Sequence, residues 1–333
     1  MPIGEPNRFH RQHGSGSRNT QEKICLIVNP RAGAGRAGAQ IDTLKRLTDR
    51  AFEQWEILQT EAPGHATHLA KEAANQGFDL VGAVGGDGTC HEVVNGLFVD
   101  GKAIRKQTAF TVIPFGTGSD LVRSLQIPKS TQEALWIAAT GVSLPSDLGW
   151  AEVTTDNGTH GEAFINVASF GASATVARRA NEGTKRFGGT ATFMGATLRT
   201  LVDYQPNPVT VTYANADGDH SWSESLMAGF IANGHYCGGG MRVGPNGSMQ
   251  DGSFELCLLE PTSLAQQLLD LRHLYDGQIH KSKGMLTSTA TTVQATSDHP
   301  IAVELDGETS GHLPARFDVK KGALTIRGGW SVS

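Results

Sequence analysis

No run in this sequence approaches the ~20 apolar residues that a membrane-spanning helix needs, and the N-terminus has no apolar signal region. The expectation is a cytoplasmic protein whose contact with a membrane is peripheral. Cysteine is scarce. The four present, Cys25, Cys90, Cys237 and Cys257, form no CxxC pair and meet no histidine at zinc-ligand spacing. That argues against both a disulfide framework and a structural zinc site. Cys25 and Cys257 fall inside apolar strand-like runs and read as core. Basic excess is missing too: the formal net charge of -5 leaves no electrostatic footprint for nucleic acid as a main partner. No internal repeat is visible. No GK[ST] phosphate loop occurs, and no loop is read as the dinucleotide fingerprint that combines GxGxxG at the first strand with an acid at the second strand's end.

What is there begins with length, because 333 residues suffice for two domains with their own cores. Residues 1–22 are polar and without periodicity, so a disordered tail is expected. From 23 to 148 strands alternate with helices: strand 23–29, helix 36–52 with Ile41, Leu44 and Leu47 on one stripe, strand WEILQT, helix 65–75, strand LVGAV, helix 90–98, strand FTVIP and helix 119–125. Strands separated by helix-length segments predict a mainly parallel open α/β sheet, with ligands outside the carboxyl ends of its strands. From 149 to 315 the texture turns to alternating segments broken by Asn-Gly and Asp-Gly turns. These predict an antiparallel β-sandwich, interrupted by helices over 174–202 and 262–275.

Three glycine-containing loops follow three strands of the first domain: NPRAGAG (29–35), GGDGT (85–89) and PFGTGSD (114–120). One such loop is often only a tight turn. Three on one sheet edge could wrap a nucleotide with backbone donors. Asp87 is the odd residue among them, since a carboxylate in a phosphate cradle repels the phosphate unless a cation stands between them. His65, His68 and His91 show no ligand spacing and read as exposed polar residues. Arg178, Arg179, Lys185 and Arg186 form a basic cluster of a kind that is usually a solvated face.

GGDGTCHEVVNGL, VNPRAGAGR, VIPFGTGSDLVRSLQIP, FINVASFGASATV, ANGHYCGGGMRVGP and LDGE together resemble the diacylglycerol kinase catalytic-domain family, from about residue 23 to the end of the chain. The GGDGT element is shared with NAD kinases, whereas the GGGM and LDGE segments point to lipid kinases. The resemblance implies an NAD kinase-like α/β domain and a β-sandwich domain, with a final strand, about 316–333, returning to the first sheet. It implies ATP-dependent phosphorylation of a lipid hydroxyl, diacylglycerol or a related lipid, giving a phospholipid and ADP. Nucleotide contacts would come from Asn29, Pro30, Arg31, Ala32, Gly33, Thr60, Gly85, Gly86, Asp87, Gly88, Thr89, Cys90, His91, Thr117 and Glu308. A Mg²⁺ riding with ATP would be held by Asp87, Asp120, Asp147 and Glu308, which answers the puzzle of Asp87. Asp306 would be the base, although Asp-Gly between strands is also a strong hairpin signal.

The same resemblance implies a second, structural Mg²⁺ at Asp251, with Ser248 and Ser253 helping. Gln250 stands there in place of a common second Asp, and a plain turn is the alternative reading. Ser119 replaces a common Asn. Glu92 and Asn95 would fix the GGDGT loop, Glu92 being equally readable as a solvated acid at a helix start. A lipid substrate would give the Arg178, Arg179, Lys185 and Arg186 cluster an anionic leaflet to meet at the inner face of the membrane. A homodimer is a further expectation. The competing readings are an NAD kinase-like soluble-metabolite kinase and a catalytically silent nucleotide- or lipid-binding module.

Overall fold

The computed structural model describes residues 20–115, 120–182 and 189–330. The alternation read over the first 140 residues becomes β1 (Thr20–Val28), α1 (Arg36–Ala39), α2 (Ile41–Ala51), β2 (Phe52–Gln59), α3 (His65–Asn75), β3 (Leu80–Gly85) and α4 (Asp87–Gly96). A short hairpin, β4 (Phe98–Val99) and β5 (Lys102–Ala103), precedes β6 (Ala109–Pro114), α5 (Asp120–Ser124) and α6 (Thr131–Thr140). The strands run parallel in the order β2-β1-β3-β6. Ile24–Val28 and Leu80–Gly85 are buried throughout, as strands covered on both faces must be. The helix expected over 36–52 is broken at Gln40, and the first strand begins at Thr20, inside the stretch read as tail. The remaining tail residues, 1–19, lie outside the described residues.

The second half supplies β7 (Ser143–Thr155), β8 (Gly158–Phe164), β9 (Val167–Gly171), α7 (Ala172–Glu182), α8 (Gly189–Asp203), β10 (Asn207–Asn215), β11 (Gly218–Leu226), β12 (Ala228–Ala232) and β13 (Phe254–Leu259). It closes with α9 (Leu264–Tyr275), β14 (Met285–Ala290), β15 (Thr292–Thr296), β16 (Ala302–Leu305) and β17 (Glu308–Arg327). All pairs among these strands are antiparallel. Their inward faces meet in a core that includes Phe164, Phe170, Phe254 and Phe317, with the Phe164 and Phe254 rings stacked at 5.5 Å between centroids. The helical stretch expected over 174–202 is two helices, α7 and α8, which pack on each other.

β17 joins the halves. Its first part pairs antiparallel with β16, β15 and β7, and after an irregularity between Lys320 and Leu324 its last part runs parallel to β6, matching Thr325 with Ala109 and Ile326 with Phe110. Asp147 of β7 sits opposite that irregularity. Its Oδ1 accepts the Gly322 amide at 2.8 Å and its Oδ2 the Gly252 amide at 2.6 Å. At 1 % exposure it is a buried pin at the corner where one strand passes between two sheets.

Candidate active site

The carboxyl ends of β1, β2 and β3 open into one cleft of about 1360 Å³ shared with the second half of the chain. Asn29, Arg31, Ala32, Gly33, Thr60, Gly86, Asp87, Gly88, Thr89 and His91 line it. The local reasons are visible. Asn29 Oδ1 accepts the Arg31 amide at 3.0 Å, which turns the first loop, while its Nδ2 donates to Thr89 Oγ1 at 3.3 Å and ties that loop to α4. The first-turn amides of α4 have no intrahelical acceptor and face the same space, a ready site for phosphate oxygens. A Cβ at Gly88 would stand 2.5 Å from Glu308 Oε1, so only glycine lets this carboxylate approach the loop. Pro30, Gly85 and Cys90 do not line the cleft. Pro30 packs on Gly38, Gly85 packs on Thr89, and Cys90 is 1 % exposed in the core. Thr117 and Ser119 lie outside the described residues.

Asp87 caps the start of α5: Oδ2 accepts the Asp120 amide at 3.2 Å and Oδ1 the Leu121 amide at 3.4 Å. Burial, then the negative charge of Asp120, push its pKa up to about 7 against those two amides. Asp120 is buried, with Oδ2 accepting the Gly239 amide at 2.7 Å and Oδ1 left without a hydrogen-bond partner. Burial pushes its pKa up as well. Hard oxygen donors, one of them a buried atom with no hydrogen bond and only the Arg123 guanidinium at 3.6 Å beside it, fit Mg²⁺ carried by a nucleotide. Among the described residues no three His, Cys, Asp or Glu side chains converge to hold a metal directly. Asp147 does not join this group, because it does not line the cleft and is buried at the β17 corner instead.

Asp306 stands in the hairpin and also lines the cleft. With φ 53 at Asp306 and φ 93 at Gly307, the two residues form the tight turn between β16 and β17, a left-handed pair that Asp-Gly suits. The same turn aims the Asp306 carboxylate at the cleft. Oδ2 accepts the Ile165 amide at 2.9 Å and touches His91 Nδ1 at 3.2 Å; Oδ1 accepts Asn166 at 2.8 Å and Val167 at 3.2 Å. Those four partners match the four lone-pair sites of a carboxylate.

His91 overturns the reading of an exposed histidine: it is 4 % exposed, with Nε2 on Glu162 Oε1 at 3.0 Å. Burial alone would lower its pKa, but hydrogen bonds and charge from Asp306 and Glu162 outweigh burial and hold it at about 10. Burial likewise opposes the charge of Glu162, yet His91, with help from Ser310, pulls its pKa below the usual carboxylate range. The result is a hydrogen-bonded chain along the cleft lining, Asp306, His91 and Glu162, with the charged imidazole of His91 between two carboxyl groups.

Glu162 and Glu304 are the site residues sequence reading missed. Glu304 is buried, accepts hydrogen bonds from Ser169 Oγ and the Gly307 amide, and so supports the Asp306 turn; burial pushes its pKa up to about 7. Glu304 stands two residues before Asp306 in VELDGE, inside the segment that carries the family resemblance. Glu162 had no local signal. Glu92 is not merely solvated: its Oε2 accepts the Ala66 amide at 3.1 Å and caps α3, while Asn95 clasps β8 through Ala163 N and O at 2.8 and 2.9 Å. Asp251 closes its own turn onto Ser253 N and Oγ, and Ser248 Oγ accepts the Gln250 amide at 3.3 Å. That turn is what the described contacts there form.

Comparisons with known proteins identify this fold and cleft as those of a lipid kinase, a phosphotransferase with an alcohol acceptor. The chain belongs to the diacylglycerol kinase catalytic-domain family. Residues 23–151 match the model of the diacylglycerol kinase catalytic domain, and residues 166–328 match that of the YegS C-terminal NAD kinase beta sandwich-like domain. The chain is 29% identical over 299 residues to a diacylglycerol kinase of Bacillus subtilis (strain 168), covering 89% of this chain and 93% of that one. It is 28% identical over 298 residues to a diacylglycerol kinase of Staphylococcus aureus (strain MRSA252), covering 89% of each. A crystal structure from Bacillus anthracis str. Sterne superposes with a TM-score of 0.75 at 26% identity, covering 92% of this chain and 97% of that one.

Proposed function

We propose that the protein transfers the γ-phosphate of ATP to the hydroxyl of diacylglycerol or a closely related lipid, giving a phospholipid and ADP. The observation that carries this reading is the composition of the cleft. Beyond the phosphate loops it continues into a chamber walled by Val176, Leu201, Met227, Phe230 and Leu274. A water-soluble acceptor has no use for such a wall, whereas acyl chains leave water for it at roughly 25 cal/mol per Å² of apolar surface.

In this reading the loop 29–33 and the first turn of α4 hold the phosphates, and Asp87 with Asp120 holds Mg²⁺ through water, with Glu308 facing them across Gly88. Bound Mg²⁺ would neutralise charge on the phosphate oxygens during transfer. Asp306, 3 % exposed, stands where apolar chamber and polar loops meet. The acceptor hydroxyl would displace the Val167 amide, at 3.2 Å the longest backbone contact of Asp306, and hydrogen-bond to the lone pair so freed on Oδ1. Asp306 then takes the hydroxyl proton late in the attack, as suits a loose phosphoryl transfer. His91 keeps the carboxylate aimed, and Glu162 keeps His91 charged.

The test is ATP-dependent phosphate transfer to a panel of lipids in mixed micelles with Mg²⁺, beside a panel of soluble alcohols. Transfer to one lipid class, absent without that lipid, supports the reading and names the acceptor. Transfer confined to a soluble alcohol would sink the lipid assignment.

A further inference from the structure

Among the described residues nine large apolar side chains stand exposed, and six of them lie on α8 and α9: Leu198, Val202, Leu264, Leu268, Leu269 and Tyr275. Val202 is 70% exposed and Leu269 59%. The other sides of the same helices do different work. Thr197 and Leu201 of α8, with Leu271 and Leu274 of α9, line the chamber. The two helices pack on each other, so one pair of elements has its inner surface on the chamber and its outer surface in water.

Cations are interspersed on the outer surface. Arg199, its side chain 78% exposed, lies between Leu198 and Val202 in sequence, and exposed Arg272 follows Leu268 and Leu269 by about one turn of α9. Lys281 and Lys283 are exposed just beyond. Of the acids nearby, Asp203 pairs with Arg179 at 2.7 Å and with Arg199 at 3.8 Å, Asp276 lies 3.8 Å from His273, and Asp270 is buried, accepting from Gln266 and the Lys283 amide. The pairing with Asp203 also makes Arg179 a strut between α7 and α8. Of the basic cluster read from the sequence, Arg178 is exposed, while Lys185 and Arg186 lie outside the described residues.

We propose that the outer faces of α8 and α9 dock on the surface of an anionic lipid bilayer and hold the chamber against it. The inference rests on the lipid acceptor proposed above and says where that lipid is met. A wide apolar face carrying cations suits a leaflet, whose phosphates meet the arginines while the acyl region receives the leucines. A second copy of the chain suits it less, because a self-docked pair brings the same arginines face to face.

The experiment is flotation of the full chain with vesicles of phosphatidylcholine, with and without phosphatidylglycerol. The parent is compared with Arg272→Gln and with a triple variant, Val202→Gln, Leu268→Gln and Leu269→Gln, circular dichroism and thermal melts confirming the fold. The expected result is parent binding to the anionic vesicles, weakened roughly tenfold or more in the triple variant and a few-fold by Arg272→Gln or added salt. The triple variant should lose transfer to long-chain diacylglycerol in vesicles yet keep transfer to a short-chain, monomeric one. Equal vesicle binding by parent and triple variant would overturn the proposal. So would a parent dimer that the triple variant converts to monomer. Because flotation is read without catalysis, a parent that floats but phosphorylates no lipid condemns the acceptor and leaves the docking face standing.

Discussion

On the nucleotide side of the cleft the working groups come from short runs of chain, 29–33 and 86–91, each held by its own directional hydrogen bonds. On the chamber side Val176, Leu201, Phe230 and Leu274 come from α7, α8, β12 and α9, and their apolar side chains make no directional bond of their own. The first wall depends on single atoms at set distances, so exchanging one atom should matter greatly. The second depends on volume and apolar area, so substitutions there should be felt in proportion to size.

The largest effect should come from Asp306→Asn, which puts an amide NH₂ among the three backbone N–H donors that the carboxylate accepts. A fall in kcat of roughly 10³-fold is expected, within the range of general-base loss, with a cooperative thermal transition retained. Full activity in radiolabelled phosphate transfer would remove Asp306 from the chemistry. On the other wall Leu201→Trp should raise KM for a long-chain lipid about tenfold, leaving KM for ATP unchanged. If ATP affinity fell equally, the two walls would not be separable.

A pH scan sharpens the polar side. The folded protein holds His91 at about 10, above its unfolded value of ~6.5. The stability this contributes is complete below pH ~6.5 and is lost as pH rises through about 10. The groups facing His91 are Asp306, Glu162 and Asn95. Differential melts of His91→Gln against the parent should show the parent's advantage shrinking by a few degrees over that window. An advantage growing with pH would contradict the ion chain. The smallest effect expected is from Glu92→Gln, which keeps an oxygen for the Ala66 amide but removes its charge: about 1 kcal/mol or less in urea titration.

The contrast between the walls also explains what could be read in advance. The parallel sheet, the sandwich and the GGDGT loop were legible because each is written in neighbouring residues, as period, turn or glycine spacing. The Asp306–His91 contact spans 215 positions and the His91–Glu162 contact 71, and nothing near His91 announces either partner. Asp147 was placed with the Mg²⁺ acids by the family resemblance, which marks a residue type, while its direction depends on how β7 pairs with β17. The chamber was invisible because Met227 or Leu274 in a sequence looks like any core residue.

β17 carries a consequence for anyone who would cut this protein into parts. The β6 edge of the first sheet is completed by Thr325 and Ile326, residues that follow the entire second sheet in the chain. A gene fragment ending near residue 150 therefore encodes a sheet with a raw edge, open to pairing with another molecule. The two halves form a single heritable unit: exchanging one with a relative requires two crossovers, one on either side of the β-rich insert, and the later one must leave the Asp147 corner whole.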